Sequence, residues 1–198
     1  MSDVHVVALV PVTGRAGSGA ADGVPAVQLA VRRLISTASV DRVILLPESE
    51  LDFSVSAVLD AGDVRVVSAA LPEYAAAVAA QPGVRVVLVH DPLRAFVPVD
   101  VVDRVVRAVL ANGRPVVPVL PCSDTVKQTD DAGVVIDTPD RAWLRVVQTP
   151  IGYPAELISS GAVVAGEVPA GALMVTGDPR ARRVASAVDL VMIDGGLT

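Results

Sequence analysis

Val84-Arg85-Val86-Val87-Leu88-Val89-His90-Asp91-Pro92-Leu93-Arg94 is the stretch that decides the fold. Val84 to Val89 is the most hydrophobic run of the chain and is rich in β-branched residues. Such a run predicts a strand buried on both faces. It ends in His90, Asp91 and Arg94. In open α/β sheets ligands bind beyond the carboxyl ends of the strands, so Asp91 and Arg94 fall where chemistry is expected.

Similar runs lie on either side: Val4 to Val12, Val40 to Leu46, Val64 to Val67 and Val116 to Leu120. Helical signals alternate with them. Val27, Val31 and Leu34 recur at helical spacing. Ser49 is a candidate N-cap for a helix through Ala61, with Asp52 three residues on. Leu71 to Ala80 is Ala-rich with Pro72 in its first turn. Val99 to Leu110 pairs its valines at helical spacing and is closed by Gly113. This alternation predicts an α/β fold with a Rossmann-like, mostly parallel sheet and helices on both faces. From Asp124 the pattern changes. Thr125 to Thr129 and Val134 to Asp137 flank Asp130-Asp131-Ala132-Gly133, which predicts a β-hairpin around an acidic turn. A hairpin at that point must project as an arm, over about residues 122–143. Ala155 to Ser160 reads as a short helix, Leu173 to Val175 as a strand and Ser186 to Met192 as a last helix. Residues 1–198 are expected to form a single domain.

Composition narrows the function classes. Of 198 residues, 52% are apolar but only 3% aromatic, so the core is aliphatic. The net charge is -6 and no basic run occurs, which argues against a nucleic-acid partner. Apolar stretches are interrupted well short of a membrane span, so no membrane association is expected. Cys122 is the sole cysteine, which suits a reducing cytoplasm. The chain opens directly into a strand without a secretory leader, and a cytoplasmic location is expected.

Gly14, Gly17 and Gly19, with Ser18, lie between the first strand and the first helix. Backbone N–H groups of such a loop approach phosphate closely. The G-x-x-G-x-G spacing is neither the dinucleotide fingerprint nor the Walker pattern. On this segment alone, a phosphate cradle and a flexible connection read equally well. Its one cation is Arg15. An NAD(P)-dependent oxidoreductase is disfavoured, because Leu46-Pro47 stands where an acidic residue should end the second strand.

The second half is more specific. His90-Asp91-Pro92-Leu93-Arg94 is followed by Pro118 to Lys127, then Thr138-Pro139-Asp140-Arg141, then Gln148-Thr149-Pro150. Each residue has an ordinary reading. Asp91 can cap the turn at Pro92. His90 reads as a packed or hydrogen-bonded strand-end residue. Arg94 and Arg141 can pair with acidic neighbours such as Asp140. Thr125 and Thr149 can be turn hydroxyls. Asp91 also has the chemistry of a Mg²⁺ ligand beside phosphates.

In order and spacing these four segments resemble the 2-C-methyl-D-erythritol 4-phosphate cytidylyltransferase family of the non-mevalonate isoprenoid pathway. The resemblance covers roughly residues 84 to 160. It implies a homodimer in which the hairpin arm embraces the partner and completes its pocket. Asp91, Arg94, Thr125, Arg141 and Thr149 would bind the sugar-alcohol phosphate. Asp91 would also meet a divalent cation such as Mg²⁺. Pro11, Gly14, Gly17, Ser18 and Gly19 would bind CTP, and Arg15 and Arg183 would supply the catalytic charge.

The first half departs from the family pattern. Pro25 is followed by Ala26 where the family has lysine. The arginine of the family's first loop is absent from its usual place, leaving Arg15 to substitute. The Gly-Gly-x-x-Arg segment has no counterpart over Ser68 to Tyr74. Arg183 stands where the family has a lysine, a swap that keeps charge but changes shape. Two readings follow. One is a cytidylyltransferase moving CMP from CTP to the sugar-alcohol phosphate. The other is a catalytically impaired paralogue that binds sugar phosphate as a regulatory dimer.

Overall fold

In the computed structural model, the described residues are 5–12, 20–21, 24–47, 66–68, 83–160, 168–184 and 189. Strand β1 is Val6–Val12, followed by the short pair β2 (Ala20–Ala21) and β3 (Val24–Pro25) and by helix α1 (Ala26–Ser36). Then come β4 (Arg42–Pro47), β5 (Val66–Ser68), β6 (Val86–Val89), α2 (Val99–Asn112) and β7 (Val116–Pro121). The remaining elements are β8 (Gln128–Thr129), β9 (Val135–Asp137), β10 (Arg145–Val147), β11 (Ile151–Pro154), α3 (Ala155–Ser159) and β12 (Leu173–Thr176). The helices expected over residues 49–61, 71–80 and 186–192 lie outside the described residues, apart from Asp189.

The main sheet runs β10-β7-β11-β6-β1-β4-β5, with β12 paired to β7. The β1–β4, β1–β6, β4–β5 and β7–β12 pairs are parallel. The sheet is therefore mostly parallel, with β10 and β11 antiparallel to their neighbours. Alternation along β1 explains why its whole length is apolar. Val6, Ala8, Val10 and Val12 face a cluster containing Val31 and Leu34 of α1 and Val101, Val105 and Val109 of α2. Val7 and Leu9 face the opposite cluster, which holds Tyr153 of β11 and Ile158 of α3. Both faces are covered, as a parallel sheet requires.

Helix α2 ends as its sequence indicates. Gly113 adopts φ 61° and its N–H bonds the Val109 carbonyl at 2.8 Å. The acidic turn also forms: Asp130 Oδ1 accepts from the N–H groups of Ala132 and Val134, and Gly133 takes φ 80°. β8 and β9 pair with each other as a separate two-stranded sheet, and the hairpin stands exposed.

β10 and β11 carry no periodic signal in the sequence, yet the register between them positions the site. Val147 faces Val119 and Gly152 faces Val116. The chain thus advances five residues while β7 advances three. The excess is a bulge at Gln148, Thr149 and Pro150, which re-aims side chains at the sheet's ligand end. β11 then crosses to pair with β6.

Gly152 fits here because helix α2 lies directly above it. A Cβ on Gly152 would come within 2.6 Å of Val105 Cγ1 and 2.8 Å of Val109 Cγ2. Gly152→Ala is expected to cost about 1–3 kcal/mol through overpacking. That lowers Tm by several degrees for a chain of this size, with an unchanged far-UV spectrum. Thermal melts check it, and an unaltered Tm would refute the packing assigned here.

Candidate functional site

The C-terminal ends of the parallel strands lie together, so Pro11, half-buried near the end of β1, and Asp91 beyond β6 share one end of the sheet. Asp91 is held there by three chain segments. Its N–H donates to Thr149 Oγ1 at 3.1 Å, from the bulge. Its Oδ1 accepts the Leu93 N–H at 2.9 Å, closing the turn at Pro92. Its Oδ2 accepts from Arg183 Nε at 2.8 Å, across 92 residues of sequence. The turn-cap and functional readings of Asp91 are thus served by different oxygens of one carboxylate.

The Asp91–Arg183 pair is partly open to solvent, with the arginine side chain 53% exposed. Ion pairs of this exposure contribute about 0–1 kcal/mol to stability. Its importance is therefore positional. With Nε on Asp91, the terminal nitrogens of Arg183 remain to meet an anion.

Arg94 turns inward. Its Nη1 donates to the Ala181 carbonyl at 2.7 Å and its Nη2 to the Val147 carbonyl at 2.9 Å. Burial lowers its pKa, Asp91 opposes that shift and Arg183 adds to it. Acidic neighbours, the ordinary alternative for Arg94 and Arg141, are not their hydrogen-bond partners: Arg141 Nη1 donates to the Ser123 carbonyl at 2.9 Å. Asp140 instead caps the 3-10 turn Arg141–Trp143 through the Ala142 N–H.

His90 is completely buried, with Nδ1 3.1 Å from Thr149 Oγ1. Burial is the main cause that lowers its pKa to about 4, so the ring is neutral near pH 7. The hydroxyl of Thr149 therefore sits between a neutral imidazole and the Asp91 N–H. The strand-end reading of His90 fits this geometry.

Asp91, Arg94, Thr149 and Arg183 thus converge. Thr125 and Arg141 do not join them within the chain; both are exposed on the arm. Gly14, Arg15, Gly17, Ser18 and Gly19 lie outside the described residues. Ala26 is buried and packs with Leu93 and Ala95, so an apolar contact occupies the place of a cation. Gln148 has no role in the sequence reading, although it opens the Gln-Thr-Pro motif. It is 1% exposed and hydrogen-bonds the backbone of Asp178. Its signals are that motif and its place as a polar side chain directly after Val146-Val147.

No group of three or more His, Cys, Asp or Glu side chains among the described residues is arranged to hold a metal. Asp91 offers one carboxylate, with about four lone-pair sites of which two are used. That fits a Mg²⁺ ion whose other ligands are phosphate and water, and not an all-protein cage. No helix of the described residues is long and apolar enough to cross a membrane.

A carboxylate and an arginine meeting beyond the carboxyl ends of a mostly parallel, Rossmann-like sheet define an α/β protein with a charged pair where such sheets bind their ligands. Solved structures share this fold. A 4-diphosphocytidyl-2C-methyl-D-erythritol synthase from Anaerococcus prevotii matches with a TM-score of 0.76 at 20% identity, over 98% of this chain and 96% of that one. A 2-C-methyl-D-erythritol 4-phosphate cytidylyltransferase from Thermus thermophilus gives 0.70 at 22% identity, over 96% and 98%. In sequence, the chain is 40% identical to the 2-C-methyl-D-erythritol 4-phosphate cytidylyltransferase of Nocardia farcinica, over 96% of this chain and 92% of the relative. The family model of that name matches residues 20–191, and the chain belongs to the 2-C-methyl-D-erythritol 4-phosphate cytidylyltransferase family.

The buried His90 makes stability pH-dependent. The unfolded ring binds a proton below about pH 6.5, and the folded ring resists until about pH 4. The unfolded state thus binds more protons between these values. The stability is complete above pH 6.5 and is lost as pH falls toward 4, by up to about 3 kcal/mol. Denaturant unfolding of wild type and His90→Asn across this window is expected to show a smaller pH slope in the variant. Equal slopes would remove His90 as the cause.

Proposed function

We propose that this chain, as a single nucleotidyltransferase-like domain, transfers CMP from CTP to 2-C-methyl-D-erythritol 4-phosphate. The observation that carries the reading is the Asp91–Arg183 contact. It joins two remote motifs of the family at the ligand end of the sheet. In the reaction a phosphate oxygen of the acceptor attacks the α-phosphorus of CTP. The bond to the bridging oxygen breaks and diphosphate leaves.

The difficulty is repulsion between two anions, so fixed cations aimed at the developing charge supply most of the catalysis. Arg183 is that cation on the acceptor side, with Arg15 proposed on the nucleotide side. Pro11, Gly14, Gly17, Ser18 and Gly19 are proposed to cradle the triphosphate. Asp91, Arg94 and Thr149 shape the acceptor pocket, Arg94 by fixing its walls. A divalent cation, with Asp91 as its protein ligand, would neutralise phosphate charge when bound.

Thr125 and Arg141 act from the arm, which is proposed to reach a second copy of the chain. The support is an exposed apolar surface: Trp143 is 86% exposed, and Val134, Val135 and Ile136 are 59%, 56% and 58% exposed. Large apolar side chains this exposed on one arm suit an interaction surface. The free thiol of Cys122 accords with a cytoplasmic setting.

Incubation with CTP, Mg²⁺ and the sugar phosphate is expected to release diphosphate, and none above background from folded protein would overturn the reading. Arg183→Ala is expected to lower kcat/KM by roughly a hundredfold or more. Arg183→Lys should keep part of the rate, since charge persists while the planar fork is lost. Light scattering should give a dimer mass, and a monomer at assay concentration would exclude the arm's role.

A further inference from the structure

Gln148 is a buried polar side chain that the proposed chemistry leaves unused. Its Oε1 accepts the Asp178 N–H at 2.9 Å and its Nε2 donates to the Asp178 carbonyl at 2.7 Å. The side-chain amide thus pairs with one residue's backbone as a neighbouring strand would. To do so it reaches across β7, which lies between the bulge and β12. Glycine at 177 permits the approach. A Cβ there would fall on Gln148 Oε1 and lie 3.2 Å from the Val119 carbonyl.

Asp178 begins the segment that delivers Arg183. Its side chain caps the 3-10 turn Pro179–Ala181 by accepting the Arg180 N–H at 2.8 Å. Ala181 is buried, and its carbonyl receives Arg94. Val184 donates its N–H to the Leu93 carbonyl at 2.7 Å. The segment is therefore anchored at its head by Gln148 and at its tail by Leu93, with Arg183 beside the tail. The next residue after Gln148, Thr149, holds the Asp91 N–H. Two consecutive side chains of one bulge thus secure both halves of the Asp91–Arg183 pair.

We infer that Gln148 is a positioning residue that sets Arg183 against Asp91 by holding the head of segment 177–184, without touching substrate. The inference rests on the reading of Arg183 as the acceptor-side cation. Leucine at 148 would fill the space but leave both backbone groups of Asp178 unpaired. Glutamate keeps the shape. Ionised, it only accepts, and it faces the Asp178 carbonyl with no proton to give. Protonated, it restores one donor and one acceptor.

The test compares wild type, Gln148→Leu and Gln148→Glu as full chains. In Gln148→Leu, amide exchange protection at Asp178 and Val184 is expected to fall roughly tenfold, while protection within Val99–Asn112 holds. KM for the sugar phosphate should rise roughly tenfold, with KM for CTP changed less than about twofold. Gln148→Glu, compared with wild type at each pH, should come closer to it as pH falls and its buried carboxyl takes up a proton, and fall away as that carboxyl ionises. Unchanged local protection and unchanged sugar-phosphate KM in folded variants would overturn the inference. So would a uniform loss of protection along the chain, which marks a general stabiliser. If wild type itself transfers no CMP, the functional reading fails, and the exchange data still decide whether Gln148 holds the segment.

Discussion

A carboxylate at the end of a buried strand can organise a site only if its own geometry is fixed, and Asp91 meets that condition through three separate segments. The bulge supplies Thr149, the turn supplies Leu93 and the segment after β12 supplies Arg183. The parallel sheet makes the meeting possible. It brings the ends of β1, β6, β7 and β12 to one side, whatever their separation in sequence. The energy of the Asp91–Arg183 pair is small at its exposure. What the pair supplies is the placement of a guanidinium at the ligand end of the sheet.

The surroundings carry much of the cost of that placement. His90 is kept neutral by burial, so it adds no charge to those of Arg94 and Arg183 beside Asp91. Arg94 uses its fork on two carbonyls and ties the β10 end to the segment that carries Arg183. Ala26 packs on Leu93 and Ala95, where the family pattern has a lysine. The described part of the site thus depends on arginines, and beside Asp91 Arg183 is exposed where Arg94 is only partly so.

Much of this is legible in the residues. The strands are visible because burial on both faces demands unbroken apolar runs, as in β1 and β6. Gly113 marks the end of α2, and the acidic turn marks the hairpin. Asp91, Arg94 and Thr149 stand out from the motifs, with Thr125 and Arg141 beside them, whereas Arg183 is reached only through the family resemblance, where it takes the place of a lysine. β10 and β11 do not stand out, because they have three and four residues and are split by Gln148-Thr149-Pro150, too short for periodicity to register. The partners of Gln148 and Arg94 are also hidden. Both bind backbone groups, which every residue carries and no side-chain pattern reveals. Ordinary charge logic sends Arg94 and Arg141 to acids, while the fold gives them carbonyls.

The central claim is that Asp91 and Arg183 work as one unit. A double-mutant cycle over Asp91→Asn and Arg183→Gln, read as kcat/KM with the sugar phosphate varied, addresses it directly. The account predicts strong coupling, with the double variant losing about as much as the worse single variant. Losses that simply multiply would contradict it, since they would mean that the two groups act independently and that their contact is incidental.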